Sequence, residues 1–256
     1  KKIEVLSGDE YRDFINNMPD VTDAMKKALN IYPDQNTNWQ DEIYRNAIST
    51  DHNISILGAL KKKIPYRLSL GYTNNEGIVL TSNFERITSN LSLTPSLFQD
   101  HLKVNLNAKG TYVKNQFADV NAVATAVFFD PTKPVYDGNQ NYGGYYSWTK
   151  DYTPDGALND QSAFNPLSLL HMVDDQSKVK SFVGNAQFDY KLRFFPDLRL
   201  NLNMAYDYSN SKGGKYIAPN APSEYGADPE KTGSQSHFEN TYTNTLFESY
   251  ALYNKE

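Results

Sequence analysis

Five aromatic side chains crowd one short stretch of the chain: Tyr142, Tyr145, Tyr146, Trp148 and Tyr152, within "YDGNQNYGGYYSWTKDYTPDG" (136–156). Such rings stack on the apolar C–H faces of sugars, and nearby Asn and Asp can hydrogen-bond hydroxyls. The same rings could pack the loop or meet a partner protein, and the residues leave these uses open. Other constellations are weaker. His171 with Asp174 and Asp175 could be offered as a metal cluster, but zinc needs three or four converging ligands, and a polar helix end in a loop accounts for them better. "DGNQNYGG" (137–144) lacks the alternating carboxylates and closing Glu of a calcium loop. His52, His101, His171 and His237 are scattered, and no G-x-S-x-G, H-E-x-x-H, P-loop or dinucleotide fingerprint occurs. Neither an enzyme, a metal nor a cofactor is expected. Asp189, Lys191 and Arg193 alternate on one strand face, where they would either grip a ligand or solvate a lumen.

The elements that would carry these residues alternate with period two. Hydrophobic residues make up 39% of the chain, mean hydropathy is -0.64, and apolar residues mostly come singly between polar ones. In "LRLNLNMAYDYSN" (198–210) and "FVGNAQFDYKLR" (182–193), even positions are apolar and odd ones polar. The same holds in "YRLSLGY" (66–72) and "HLKVNLNAKGTY" (101–112), and in shifted phase in "FERITSNLSL" (84–93). One face therefore takes Leu102, Leu106, Phe188, Tyr190, Leu200, Leu202 and Tyr206. The other takes Lys103, Asn105, Asn107, Asn185, Asp189, Arg199, Asn201, Asn203 and Asp207. Strands of this length cross a bilayer in about 9–11 residues. No apolar run is long enough for a transmembrane helix. Tyr72, Tyr112, Tyr190, Tyr206 and Tyr208 suit an interfacial girdle.

Connections separate the possible architectures. "KKKIP" (61–65), "TPSLFQD" (94–100) and "FFPD" (194–197) are compact. "TNNEG" (73–77), a region near 117–180 and another near 211–237 alternate with them, so every long connection falls at one end of the strands. Transmembrane barrels have this asymmetry, with the lipid on the apolar face and water on the polar one. A soluble β-sandwich that binds glycans, and a complete small barrel of about eight strands, stay open as alternatives. The expected division is a strand and helical loop over 1–50, four strands over 51–118 and a long extracellular loop over 119–180. A hairpin over 181–210, a loop over 211–237 and a strand over 238–256 follow. Within the first part, Ser7 and Glu10 form a capping box ahead of a helix, and a second helix is expected over 21–29. In the long loop, 119–129 and "NPLSLLHMV" (165–173) read as short helices.

The net charge of -5 and the absence of a basic stripe exclude a general nucleic-acid binder. Cysteine is absent, excluding disulfides. The chain opens on "KKIEVLSGDEY" with no signal peptide, so an exported protein would appear here as a mature or truncated piece.

"NTNWQDEIYRNAISTDHNISILGA" (36–59) and "SLGYTNNEGIVLTSNFERITSNLSL" (69–93) resemble the SusC/RagA family of TonB-dependent outer-membrane transporters. "HLKVNLNAKG", "DPTKPVYD", "NPLSLL" and "FPDLRLNLNMAYDYSNSKG" follow in the family's order. The resemblance implies an all-β fold: a segment of a large antiparallel transmembrane barrel of about 22 strands, with short helices in long extracellular loops. It further implies the bacterial outer membrane, with outer-membrane lipid around the barrel. A SusD-like surface lipoprotein as lid, energy coupling by TonB through parts of the receptor outside this chain, and import of oligosaccharides or peptides complete the implication. About seven strands cannot close such a cylinder.

Overall fold

Strand pairing, rather than a central core, organises the molecule. The computed structural model describes residues 2–61, 63–153, 156–224 and 233–255; Lys62 of the lysine turn and 225–232 of the expected 211–237 loop lie outside the described residues. One eight-stranded antiparallel sheet contains β1 (Ser49–Leu60), β2 (Ile64–Glu76), β3 (Asn83–Leu93), β4 (Ser96–Leu97) and β5 (Leu102–Phe117). It continues through β6 (Val173–Lys191), β7 (Leu198–Ile217) and β8 (Ser234–Tyr253). Each strand pairs with its sequence neighbour, except that β3 bypasses short β4 and pairs with β5 directly, β4 pairing with β5 alone.

Continuous register makes the two faces uniform across strands. One face carries rows such as Ile56–Leu68–Leu91–Ala108–Gly184–Tyr206 and Leu93–Leu106–Ala186–Met204–Phe247. The opposite face carries Arg67–Ser92–Asn107–Asn185–Ala205. Hydrogen bonds tie that polar face together across strands: Asn185 to Asn203 at 2.7 Å, Asn115 to Ser177 at 3.0 Å, and Thr73 to Asp51 at 2.7 Å. The last strand departs from the pattern. On β8, Leu246, Tyr250 and Leu252 join the polar face while Thr241, Thr243 and Thr245 join the apolar one.

Among the described residues no second sheet covers either face, so the paired sheets of a sandwich are not formed there. Nor is the sheet a closed eight-stranded barrel: β1 and β8 are its two edges, exposed along their whole length. Mostly antiparallel strands with few short helices make it a segment of a barrel wall. No helix among the described residues is long and apolar enough to cross a membrane.

The strands outrun the boundaries read from the sequence. β6 starts at Val173, β7 continues to Ile217 and β8 starts at Ser234. In these extensions the face that is apolar lower down turns polar, as at Asp174, Lys178 and Lys212. The period-two contrast fades there while the ladder hydrogen bonds go on. The expected amino-terminal strand is not formed, since residues 2–7 pair with no strand. Instead Ile3 gives its N–H to Gln40 Oε1 (2.9 Å) and takes a bond from Gln40 Nε2 (2.7 Å), so one amide side chain satisfies it.

At the end of the long connections sits a helical cap. It comprises α1 (Gly8–Asn16), α2 (Asp23–Leu29) and α3 (Trp39–Ile43) from the amino-terminal segment, and α4 (Asn121–Phe128) and α5 (Pro166–His171) from the connection between β5 and β6. Ser7 and Glu10 form a reciprocal capping box on α1, Thr22 caps α2, Asn38 caps α3, and Asn165 caps α5 with Pro166 in its first turn. The molecule's main hydrophobic core lies here: Trp39, Ile43, Ala122, Ala126, Phe129, Tyr145, Tyr146, Leu167, Leu169 and Leu170.

Candidate functional site

"DPTKP" (130–134) builds the centre of the cap. Asp130 Oδ1 accepts from the Thr132 N–H and from the Thr132 hydroxyl, both at 2.7 Å, which closes a tight turn. The Asp130 carbonyl accepts from Trp39 Nε1 at 3.0 Å, tying the turn to α3. Lys133 is thereby aimed inward and fully buried. Its Nζ donates to the Ala28 carbonyl in the last turn of α2 (2.5 Å) and to Thr132 Oγ1 (2.9 Å). Asp130 Oδ2 lies 3.6 Å away, and the Trp148 ring centroid 5.3 Å away. The helix C-terminus, carboxylate and ring face all favour a cation at that point. Burial pulls the ammonium below its ordinary pKa, and the Asp130 charge works against that pull.

Trp148 therefore has a cation on it and aromatic edges around it. Tyr146 meets it edge-on at 5.5 Å and Tyr152 at 6.2 Å. Tyr152 is held at φ 59°, a left-handed conformation that costs a residue with a Cβ about 1–2 kcal/mol. Beside these two rings a recess of about 280 Å³ opens between the long connection and the first two helices. Tyr11 of α1 supplies a third ring, Met25 and Leu29 supply apolar lining, and Asp130, Asn159 and Ser162 supply polar groups. Aromatic faces beside hydroxyl and amide groups can take up a ring with apolar C–H faces and a hydroxylated rim.

Of the five clustered aromatics, the structure brings Trp148 and Tyr152 to this recess and turns three away. Tyr142, Tyr145 and Tyr146 are buried. The Tyr142 hydroxyl donates to the Gly156 carbonyl (2.9 Å), and that of Tyr145 lies 2.9 Å from His171 Nδ1. Tyr146 packs edge-on against Tyr32, Phe129 and Trp148. Gly143 and Gly144, at φ 68° and 82°, wind the chain so that these rings turn into the core. Burial raises the Tyr146 pKa and lifts that of Tyr145 to about 12. It raises Asp137 and lowers His171 likewise. Tyr11, which sequence reasoning missed, comes from a helix far away in the chain, and its only signal was its place on that helix.

Among the described residues, no group of three His, Cys, Asp or Glu gathers as a metal site. His171 faces Tyr145, Asp174 accepts from Gln116 and Gln176, and Asp175 lies on the opposite face of β6 from Asp174. On the sheet, Asp189 is gripped by Arg199 through two bonds of 3.0 and 2.5 Å rather than by Lys191 or Arg193. Arg193 lies beyond the end of β6. All nine expected polar-wall residues share one face. Lys103, Asp189 and Asn201 form one of its rows, and Asn105, Gln187 and Asn203 another. Leu102, Tyr190 and Leu200 align on the opposite face, as do Val104, Phe188 and Leu202.

No protein-family model matches the chain. It is 43% identical over 229 residues to the TonB-dependent receptor SusC of Bacteroides thetaiotaomicron, covering 86% of this chain and 22% of SusC. It is 28% identical over 198 residues to the TonB-dependent receptor P26 of Formosa agariphila, covering 75% of this chain and 18% of that receptor. Among solved structures, the RagAB peptide transporter superimposes with a TM-score of 0.62 at 18% identity. That match covers 95% of this chain and 26% of the matched chain. The RagAB peptide importer in its closed-closed state gives 0.61 over 87% and 24%. The chain thus spans about a fifth to a quarter of the relatives it matches.

Proposed function

The chain belongs to the SusC/RagA family of TonB-dependent receptors, as a segment of their outer-membrane barrel, and from that premise we propose that it forms part of the wall and mouth of an importer of oligosaccharides. The whole receptor would work under a SusD-like lipoprotein lid and draw energy through TonB. No covalent chemistry is involved, in keeping with relatives that are receptors rather than enzymes. Leu102, Leu106, Phe188, Tyr190, Leu200, Leu202 and Tyr206 face lipid. From Leu198 to Tyr208, at about 3.3 Å per residue and a tilt of about 40°, the apolar stripe rises about 25–28 Å, matching a bilayer's apolar band. The opposite face, from Lys103 and Asn105 to Asn203 and Asp207, lines the water-filled lumen. Both sheet edges pair with further strands of the receptor.

The observation that carries the substrate reading is the recess. Three rings, Tyr11, Trp148 and Tyr152, stand beside Asp130, Asn159 and Ser162 at the end of the long connections. Its size suits one ring of an oligomer, being near the lower limit of about 300 Å³ for small-molecule sites. Peptide is the competing cargo, favoured by the RagAB likeness. Calorimetric titration of the full receptor with oligosaccharides and with peptides of matched length tests the reading. Trp148→Ala and Tyr152→Ala should each weaken saccharide binding by about tenfold, as one lost stacking contact of roughly 1.4 kcal/mol would. Unchanged saccharide binding in both variants, or binding of peptides alone, would overturn it.

A further inference from the structure

Just beyond the apolar stripe, at the end of the long connections, the same sheet face carries an unusual row. Lys114 of β5, Lys178 of β6 and Lys212 of β7 lie directly opposite one another, and Lys180 lies one step below, between Tyr112 and Asn210. Like charges placed opposite across strands are destabilising. Glu239 pairs with Lys212 at 2.8 Å, and Glu85 faces Lys114 from β3, so the carboxylates stand at the ends of the row. Asp174, further along β6, is held by Gln116 and Gln176. Lys178, in the middle, has a lysine on either side. Among the described residues Lys114, Lys178 and Lys180 have no carboxylate within ion-pair distance.

Below this row the face is hollowed. Ala108, Gly184 and Ala186 leave a shallow floor between Leu106, Phe182 and Met204, a groove of about 450 Å³ with an almost wholly apolar lining. It lies on the middle strands, away from both edges, so further strands of the barrel would not fill it. From Lys180 to Gly184 the chain advances about 13 Å along β6, at about 3.3 Å per residue. An acyl chain lies at that depth below the phosphate of its own headgroup, within a hydrocarbon layer about 30 Å thick.

We propose that these two features form one site for a phosphate-bearing lipid of the outer leaflet, with the phosphate among Lys114, Lys178 and Lys180 and an acyl chain in the groove over Ala108 and Gly184. The anion completes a row that the protein leaves unbalanced, and the small residues make room that a lipid tail occupies. The inference rests on the reading that this face meets lipid.

The test uses the full receptor in neutral detergent, titrated with phosphatidylglycerol, phosphatidylcholine and inorganic phosphate and read by native mass spectrometry. Phosphatidylglycerol should bind in preference to phosphatidylcholine. The triple variant Lys114→Gln, Lys178→Gln, Lys180→Gln should lose about a hundredfold in affinity, each lysine near a charged headgroup giving roughly fivefold. Ala108→Phe should weaken the lipid while leaving the lysines in place, and a triple Lys→Arg variant should retain binding. Equal lipid binding by wild type and the Gln variant, or inorganic phosphate binding as tightly as the lipid, would overturn the site. Labelling Leu202→Cys separates the premise from the inference. A cysteine reached only by a water-soluble reagent removes the lipid face and the site with it. One reached from lipid, with no selective phosphatidylglycerol binding, removes the site alone.

Discussion

In the sheet, side chains such as Leu202 and Phe188 face outward with no protein layer above them, whereas in the cap Trp39, Ile43 and Leu170 are enclosed on every side. The two regions use the same kinds of residue under different solvents. The cap buries its apolar groups against protein, as a water-soluble domain does, and folds the recess around that core. The sheet satisfies its backbone by strand pairing and, among the described residues, leaves its apolar face without a second sheet over it, the face proposed above to meet a bilayer. One chain therefore carries a part whose stability comes from packing and a part whose stability depends on its surroundings.

The largest effect that sharpens this contrast is truncation in the cap. Trp39→Ala should cost about 3–5 kcal/mol, because it empties a filled site and drops the bond to Asp130. Hydrogen exchange should then show the helices and the long connection losing protection while β5 to β7 keep theirs. Equal loss in both regions would mean that they do not differ as described. Next comes a charge on the outer face. Leu202→Arg should cost about 2–4 kcal/mol in liposomes, measured by urea unfolding, while Asn203→Arg one residue along should cost well under half of that. Comparable costs at the two positions would erase the distinction between the faces.

Smaller still is the wall's ion pair. Asp189 and Arg199 are each about a third exposed, so Arg199→Met should lower stability by about 1 kcal/mol or less in the same assay. The cap's leading helix should respond to Ser7→Ala by a similar ~0.5–1 kcal/mol, seen as faster exchange in α1 alone. The gentlest probe is pH. Burial holds the folded-state pKa of His171 below its ordinary 6.5, so the folded cap prefers the neutral ring. That contribution is complete above about pH 6.5 and is lost as pH falls toward the lowered value. Protection of α5 amides, corrected for the pH dependence of intrinsic exchange, should fall on acidification in wild type and change less in His171→Phe.

Period-two alternation made the two faces of the sheet legible, since apolar and polar residues take opposite sides at every second position. It stopped being legible toward the long connections, where Lys178 and Lys212 stand on the face that is apolar lower down. There pairing continues without a compositional trace. In the recess, Trp148 and Tyr152 could be picked out as aromatic. The inward turn of Tyr142, Tyr145 and Tyr146 depends on the path through Gly143 and Gly144, which composition does not encode. Tyr11 was out of reach because Trp148 and Tyr152, its neighbours at the recess, are separated from it in the chain by five strands, β1 to β5.

The bonds that hold the cap also set an order of events. Trp39 reaches Asp130 across 91 residues and Lys133 reaches Ala28 across 105, with β1 to β5 lying between. Closing so long a loop is costly for a free chain, while the hairpins between those strands close locally. Strand pairing brings the distant partners within reach before Lys133 can dock. The recess is therefore a late product of assembly: its lining from α1 and α2 meets Trp148 and Tyr152 only once the strands between them have paired.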